Sequence, residues 1–85
     1  MAQNEVIHPF DFLKMVQEEQ PHPLMPRDQI YMTQVSKQKY RVGQAFMNAL
    51  RDTEYYTRLT GSPLDPFYSE NYADTLAAIV WLMEN

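Results

Sequence analysis

The sequence predicts an all-α fold, a small bundle of three to five short helices forming a single domain over residues 1–85. Three observations predict it. Val42, Phe46, Ala49 and Leu50 recur at spacings of four and three, which places them on one helical face. Tyr72, Leu76, Ile79, Val80 and Met83 form a second apolar stripe near the end of the chain. Prolines and glycines fall mainly between such runs, at positions 21, 23, 26, 61, 63 and 66, where they punctuate helices.

Taken in order, "PFDFLKMVQEEQ" reads as a short helix opened by Pro9 and stopped by Pro21, with Phe12, Leu13, Met15 and Val16 as its apolar members. Residues 1–25 are the least firmly structured part of the expected domain. "PHPLMP" places three prolines in six residues and is an extended connector. Pro26 then suits the first position of a helix, and Ser36, a reasonable N-cap, favours a break before the next one. Gly43 costs a helix about 1 kcal/mol relative to Ala. Its presence inside the apolar run from 42 to 50 implies that another backbone approaches there. Asp52 is the expected cap of a short helix in "TEYYTRLT", which Gly61 ends in a left-handed conformation.

Asp65-Pro66 combines a cap with a first-turn proline and predicts one turn through Tyr68, with Phe67 and Tyr68 folded back over the core. Ser69 or Asn71 then caps the final helix, "YADTLAAIVWLMEN". Ala78, Trp81 and Leu82 widen its stripe until it is apolar over much of its circumference, so it is expected at the centre of the bundle. The predicted core is Val42, Phe46, Leu50, Leu59, Leu76, Ile79, Val80 and Met83.

Composition narrows the function. There are no cysteines, hence no disulfide, thiolate metal site or cysteine nucleophile. The N-terminus shows no export signal, no apolar run approaches membrane-spanning length, and no Asn-x-Ser/Thr sequon occurs. A cytoplasmic protein without membrane or cofactor is the expectation.

The net charge of -4 is unevenly distributed, with -3 in residues 1–26, +3 in residues 27–58 and -4 in residues 59–85. The central excess includes Lys37, Lys39 and Arg41 around Tyr40, with Arg51 and Arg58 further along. A basic stripe on one helix, with Tyr40 as a stacking side chain, would contact nucleic acid. A solvated helix face explains the same residues more simply in an acidic chain.

Other chemistry is weakly signalled. Glu18 and Glu19 precede His22 by helical spacings, but Pro21 ends the helix first, and His8 is remote in sequence. Glu70 and Asp74 are four apart, yet acids at a helix start are explained by the macrodipole. With Gly43 and Gly61 as the only glycines there is no phosphate-binding loop, and no enzymatic activity is expected. Protein binding has the better compositional support. Six methionines and eleven aromatics exceed what so small a core needs. Phe10, Phe12, Leu13, Met15 and Val16 are the candidate partner-binding residues, on a helix that enters a partner's groove or completes this chain's own core. The same surface would serve a homodimer.

"RVGQAFMNAL" (41–50), "LTGSPLDPFY" (59–68) and the apolar helix with Trp81 and Leu82 together resemble a group of small proteins encoded by tailed bacteriophages. The resemblance covers about residues 38–85. It implies a phage accessory protein in a bacterial cytoplasm that binds and modulates a host protein. A small nucleic-acid-binding module is the alternative.

Overall fold

The structure, a computed structural model, describes residues 7–84, and the reading of residues 1–6 as lacking an export signal lies outside them. Five helices and no strand occur among the described residues: α1 (Pro9–Glu19), α2 (Arg27–Ser36), α3 (Val42–Ala49), α4 (Glu54–Leu59) and α5 (Tyr72–Glu84). None is long and apolar enough to cross a membrane. The all-α architecture is thus the one that the apolar spacings and proline punctuation dictate.

Helices α1 to α3 form one packed unit. Helix α2 packs against α1 and α3, while α5 packs on α3, α1 and α4. Phe12, Leu13, Val16, Phe46, Met47 and Leu50 are fully or almost fully buried and form the centre, joined by Leu59, Ile79 and Leu82 from the C-terminal half. Tilted and edge-on ring contacts connect Phe12 to Phe46 and Tyr55, and Tyr31 to Phe10 and Phe46. Such contacts stabilise beyond the area they bury.

Arg27 crosses this unit and is only 1 % exposed. Its Nε donates to the Gln20 carbonyl at 2.9 Å, and its Nη1 donates to the Ala49 carbonyl at 2.9 Å and to Asp52 Oδ1 at 2.6 Å. The guanidinium therefore lies at the C-terminal ends of α1 and α3, where unpaired carbonyls and the helix dipoles favour a cation. Gln17 Oε1 accepts the backbone N–H groups of Arg27 and His22 at 3.1 and 3.2 Å, closing the proline connector onto α1.

Several local expectations change. The break between α2 and α3 exists, but Ser36 ends α2, and its hydroxyl donates back to the Thr33 carbonyl. Arg41 occupies the N-cap position of α3, after a turn in which Gln38 adopts a φ of 59°. Asp52 pairs with Arg27, and the cap of α4 is Thr53, whose Oγ1 accepts from the Tyr56 N–H. Asn71 caps α5 by accepting from the Ala73 N–H at 2.9 Å.

The corner over residues 59–71 follows its proline and capping chemistry. Gly61 has a φ of 79°, a left-handed conformation that a β-carbon disfavours. Asp65 binds both ends of the bend, accepting the Gly61 N–H at Oδ2 and the Phe67 N–H at Oδ1, each at 3.0 Å. A single turn closes from the Ser69 N–H to the Pro66 carbonyl. The corner then docks on Gly43, whose N–H donates to the Ser69 carbonyl at 3.0 Å. A β-carbon at Gly43 would lie 1.6 Å from the Pro66 oxygen, so only glycine lets the corner sit there.

Candidate functional site

The structure separates the residues that the sequence nominates for partner binding. Phe12, Leu13 and Val16 are completely buried in this chain's own core, and Phe10 and Met15 are half-buried against it. Helix α1 therefore completes the domain with Phe12, Leu13 and Val16, which are not available to a partner, while Phe10 and Met15 keep part of their surface open. Helix α1 packs against α2 and α5, and the Phe12 ring meets Phe46 of α3.

The basic residues do not form a stripe along one helix. Lys37 caps the C-terminus of α2, Lys39 and Tyr40 lie in the following turn, Arg41 begins α3, and Arg51 follows its other end. Eight helical residues separate the two groups, about 12 Å of helix rise. Arg41 is also committed to the corner, with its guanidinium 5.6 Å from the Phe67 ring centre and 5.1 Å from that of Tyr68. Its Nε donates to the Phe67 carbonyl at 3.3 Å. Phe67 is half-buried, but Tyr68 is 80 % exposed and is not a lid on the core. Arg58 lies over the rings of Tyr55 and Trp81 and donates to the Leu82 carbonyl.

The histidines and the paired acids have local partners. His22 Nδ1 accepts the Leu24 N–H in the connector, and His8 meets the Tyr72 hydroxyl. Asp74 accepts from the Ser69 hydroxyl, and Glu70 is exposed. Among the described residues no group of three His, Asp or Glu side chains converges to hold a metal ion.

The surface that stands out belongs to α5. Its buried face is Thr75, Ala78, Ile79 and Leu82, rotated from the predicted stripe. Of the predicted core residues, Phe46, Leu50, Leu59 and Ile79 are buried and Val42 and Leu76 are half-buried. Val80 and Met83 are 40 % and 49 % exposed. Thr75 can face inward because its hydroxyl donates to the Tyr72 carbonyl at 2.6 Å.

The outward side of α5 is accordingly apolar too. Between Asp74 and Glu84, its exposed or half-exposed residues are Leu76, Ala77, Val80, Trp81 and Met83, none of them polar or charged in chain. Tyr72 extends this surface at the N-terminal end. A notch of about 170 Å³ lies beside Val80 and Met83, walled on its other side by Ile7. A helix apolar on every side normally lies inside a protein. Here one side of it packs on α1, α3 and α4, and among the described residues no other helix covers the opposite side. The sequence signal for this surface was the all-round apolarity itself.

Two other depressions flank α2. A cleft of about 370 Å³ is lined by His22, Leu24, Ile30, Gln34, Asn48 and Arg51, with Leu24 86 % exposed at its lip. A groove of about 310 Å³ runs between the start of α1, α2 and the start of α3, and reaches Tyr72. Burial, followed by repulsion from Tyr72, raises the pKa of Tyr31 on its wall. The hydrogen bond from Arg27 holds the Asp52 carboxyl below its ordinary range. Burial and the bond to Glu19 raise Tyr55.

Comparisons with protein families, curated proteins and solved structures gave no significant match to this chain.

Proposed function

We propose that this chain is a protein-binding module that acts by association rather than by chemistry and docks its partner on the outward face of α5. In the tailed-phage setting that its sequence resembles, the partner is a host protein whose activity the chain modulates. The observation that carries this reading is the apolar surface of Leu76, Ala77, Val80 and Met83 on an exposed helix, flanked by Trp81, over whose ring Arg58 lies. Continuous apolar surface of this kind marks interaction sites. The Ile7–Val80–Met83 notch offers a place for one partner side chain, the form that dominant interface contacts take.

The test is affinity capture from bacterial lysate with and without nuclease. It uses the wild-type chain, a Val80→Glu/Met83→Glu variant and a Lys37→Ala/Lys39→Ala variant. The proposal expects a partner that survives nuclease, is lost with the α5 variant and is retained with the lysine variant. A partner lost to nuclease and to the lysine substitutions would replace the proposal with nucleic-acid binding through the α2–α3 turn. Sedimentation showing a dimer that the α5 variant dissolves would make the occupant a second copy of the chain.

A further inference from the structure

The groove beside α2 has features that the α5 surface lacks. Its walls are largely apolar, supplied by Pro9, Phe10, Met32, Val35 and Val42, and its lining includes no Lys, Arg, Asp or Glu. Tyr31 lies along it and is 4 % exposed. The Tyr31 ring is held edge-on by Phe10 at 5.5 Å and by Phe46 at 6.3 Å, so its direction is fixed by the core.

The Tyr31 hydroxyl has no hydrogen-bond partner among the described residues. Among the described residues every side-chain nitrogen or oxygen sealed from water is paired, so this hydroxyl is not sealed, and the groove that Tyr31 lines is its opening. The neighbouring polar pair is already occupied: the Tyr72 hydroxyl and His8 Nε2 are 2.9 Å apart at the rim. Since burial raises the Tyr31 pKa, the phenol stays protonated at neutral pH and offers a donor. In the open groove this donor is satisfied by solvent, and a ligand that displaces the solvent must offer an acceptor in its place or leave the donor unpaired.

We propose that this groove is a binding site for a small, uncharged, mostly apolar molecule bearing one hydrogen-bond acceptor, which takes the Tyr31 hydroxyl proton while Phe10, Val35 and Val42 enclose its apolar body. The volume of about 310 Å³ is at the lower end of the range for small-molecule sites. An ion is disfavoured because it would lose its hydration with no formal counter-charge on the walls. Met32, half-exposed at the mouth, is the side chain best suited to adapt to the ligand's shape. This site shares only Tyr72 with the α5 face, and either reading stands if the other fails.

Three probes of similar size test it by amide NMR titration of the full chain at pH 7.5: acetophenone, ethylbenzene and benzoate. Acetophenone should shift the amides of Tyr31, Val35 and Val42, with ethylbenzene about tenfold weaker for want of an acceptor. Benzoate should bind more weakly than acetophenone. Tyr31→Phe should erase the preference for the ketone while leaving ethylbenzene unchanged, and Val35→Trp should fill the groove and abolish both. Shifts absent up to the probes' solubility limit, shifts located elsewhere, equal binding of ketone and hydrocarbon to the wild type, or a ketone preference that survives Tyr31→Phe would each overturn the proposal. The wild-type ratio decides the matter even if a variant fails to fold.

Discussion

Helices α1 to α3 and the segment from Leu59 to Glu84 are both rich in apolar residues, but they are held in different ways. The first unit supplies most of the core cluster and is tied by a buried cation: Arg27 reaches the carbonyls of Gln20 and Ala49 and the Asp52 carboxylate. The second is held as a bent cover. Its corner meets α3 by backbone contact at Gly43, and its helix buries Thr75, Ala78, Ile79 and Leu82 while leaving Val80 and Met83 outside. The difference teaches that apolar content alone does not decide which helix is central. Among the described residues the surplus apolar surface lies on the side of α5 that no other helix covers.

The largest expected effect lies in the first unit. Arg27→Ala leaves two carbonyls without their donor and a cavity in place of a side chain. It should destabilise by about 3 kcal/mol or more, read as a loss in Tm of 12 °C or more at about 4 °C per kcal/mol. Arg27→Lys should recover only part of this, because a single ammonium does not reproduce the three-way fork. Unchanged Tm in either variant would remove Arg27 from its place as the tie between the helices.

The contact between the two regions comes next. Gly43→Ala improves helix propensity, yet the added carbon meets the Pro66 oxygen at 1.6 Å, and the neighbour is backbone. A net loss of about 2 kcal/mol is expected by chemical denaturation, where propensity alone predicts a gain of about 1 kcal/mol. A measured gain would mean that the corner does not rest on α3.

Within the corner, Gly61→Ala and Asp65→Ala should each cost about 1 kcal/mol, the first by forcing a β-carbon into a left-handed conformation and the second by releasing the Gly61 and Phe67 N–H groups. Thermal melts of the two single variants check both, and an unchanged Tm with lost partner capture would reassign Asp65 to recognition. The smallest effect is electrostatic. The folded-state pKa of Asp52 is lowered, so its pairing with Arg27 stabilises the protein above the unfolded carboxyl pKa and is lost as pH falls through the folded value. Asp52→Asn should therefore flatten the fall of Tm on acidification below the ordinary carboxyl range, modestly because the side chain is half-exposed to water. An identical slope in wild type and variant would show that the ion pair contributes nothing measurable.

How far the sequence could be read follows the same division. Gly43, Gly61 and Asp65-Pro66 were legible because each breaks a local rule, a glycine within a helix or a cap before a proline, and a specific backbone geometry is the only good reason for it. The burial of Arg27 was not legible, since its acceptors lie as far as 22 and 25 residues along the chain. As the first residue after Pro26 it reads like any exposed base. The inward face of α5 was ambiguous for a different reason: two stripes, one through Leu76, Val80 and Met83 and one through Thr75, Ala78 and Leu82, both satisfy helical spacing. Hydropathy favoured the first, and the hydroxyl bond of Thr75 with the tight fit of Ala78 against the core decided for the second. The α1 residues were assigned to a partner because the sequence could not show that Phe12, Leu13 and Val16 join one core cluster with residues from the rest of the chain.

The most direct measurement of the proposed role of α5 is methionine oxidation footprinting of the chain alone and in complex with the partner obtained by capture. In the free chain Met83 and Met32 should oxidise readily and buried Met47 slowly, as their exposures of 49 %, 51 % and 1 % require. In the complex Met83 alone should become protected, with Met32 as reactive as before. Protection of Met32 with Met83 left open, or no protection of either, would contradict the assignment of the outward face of α5 as the partner-binding surface.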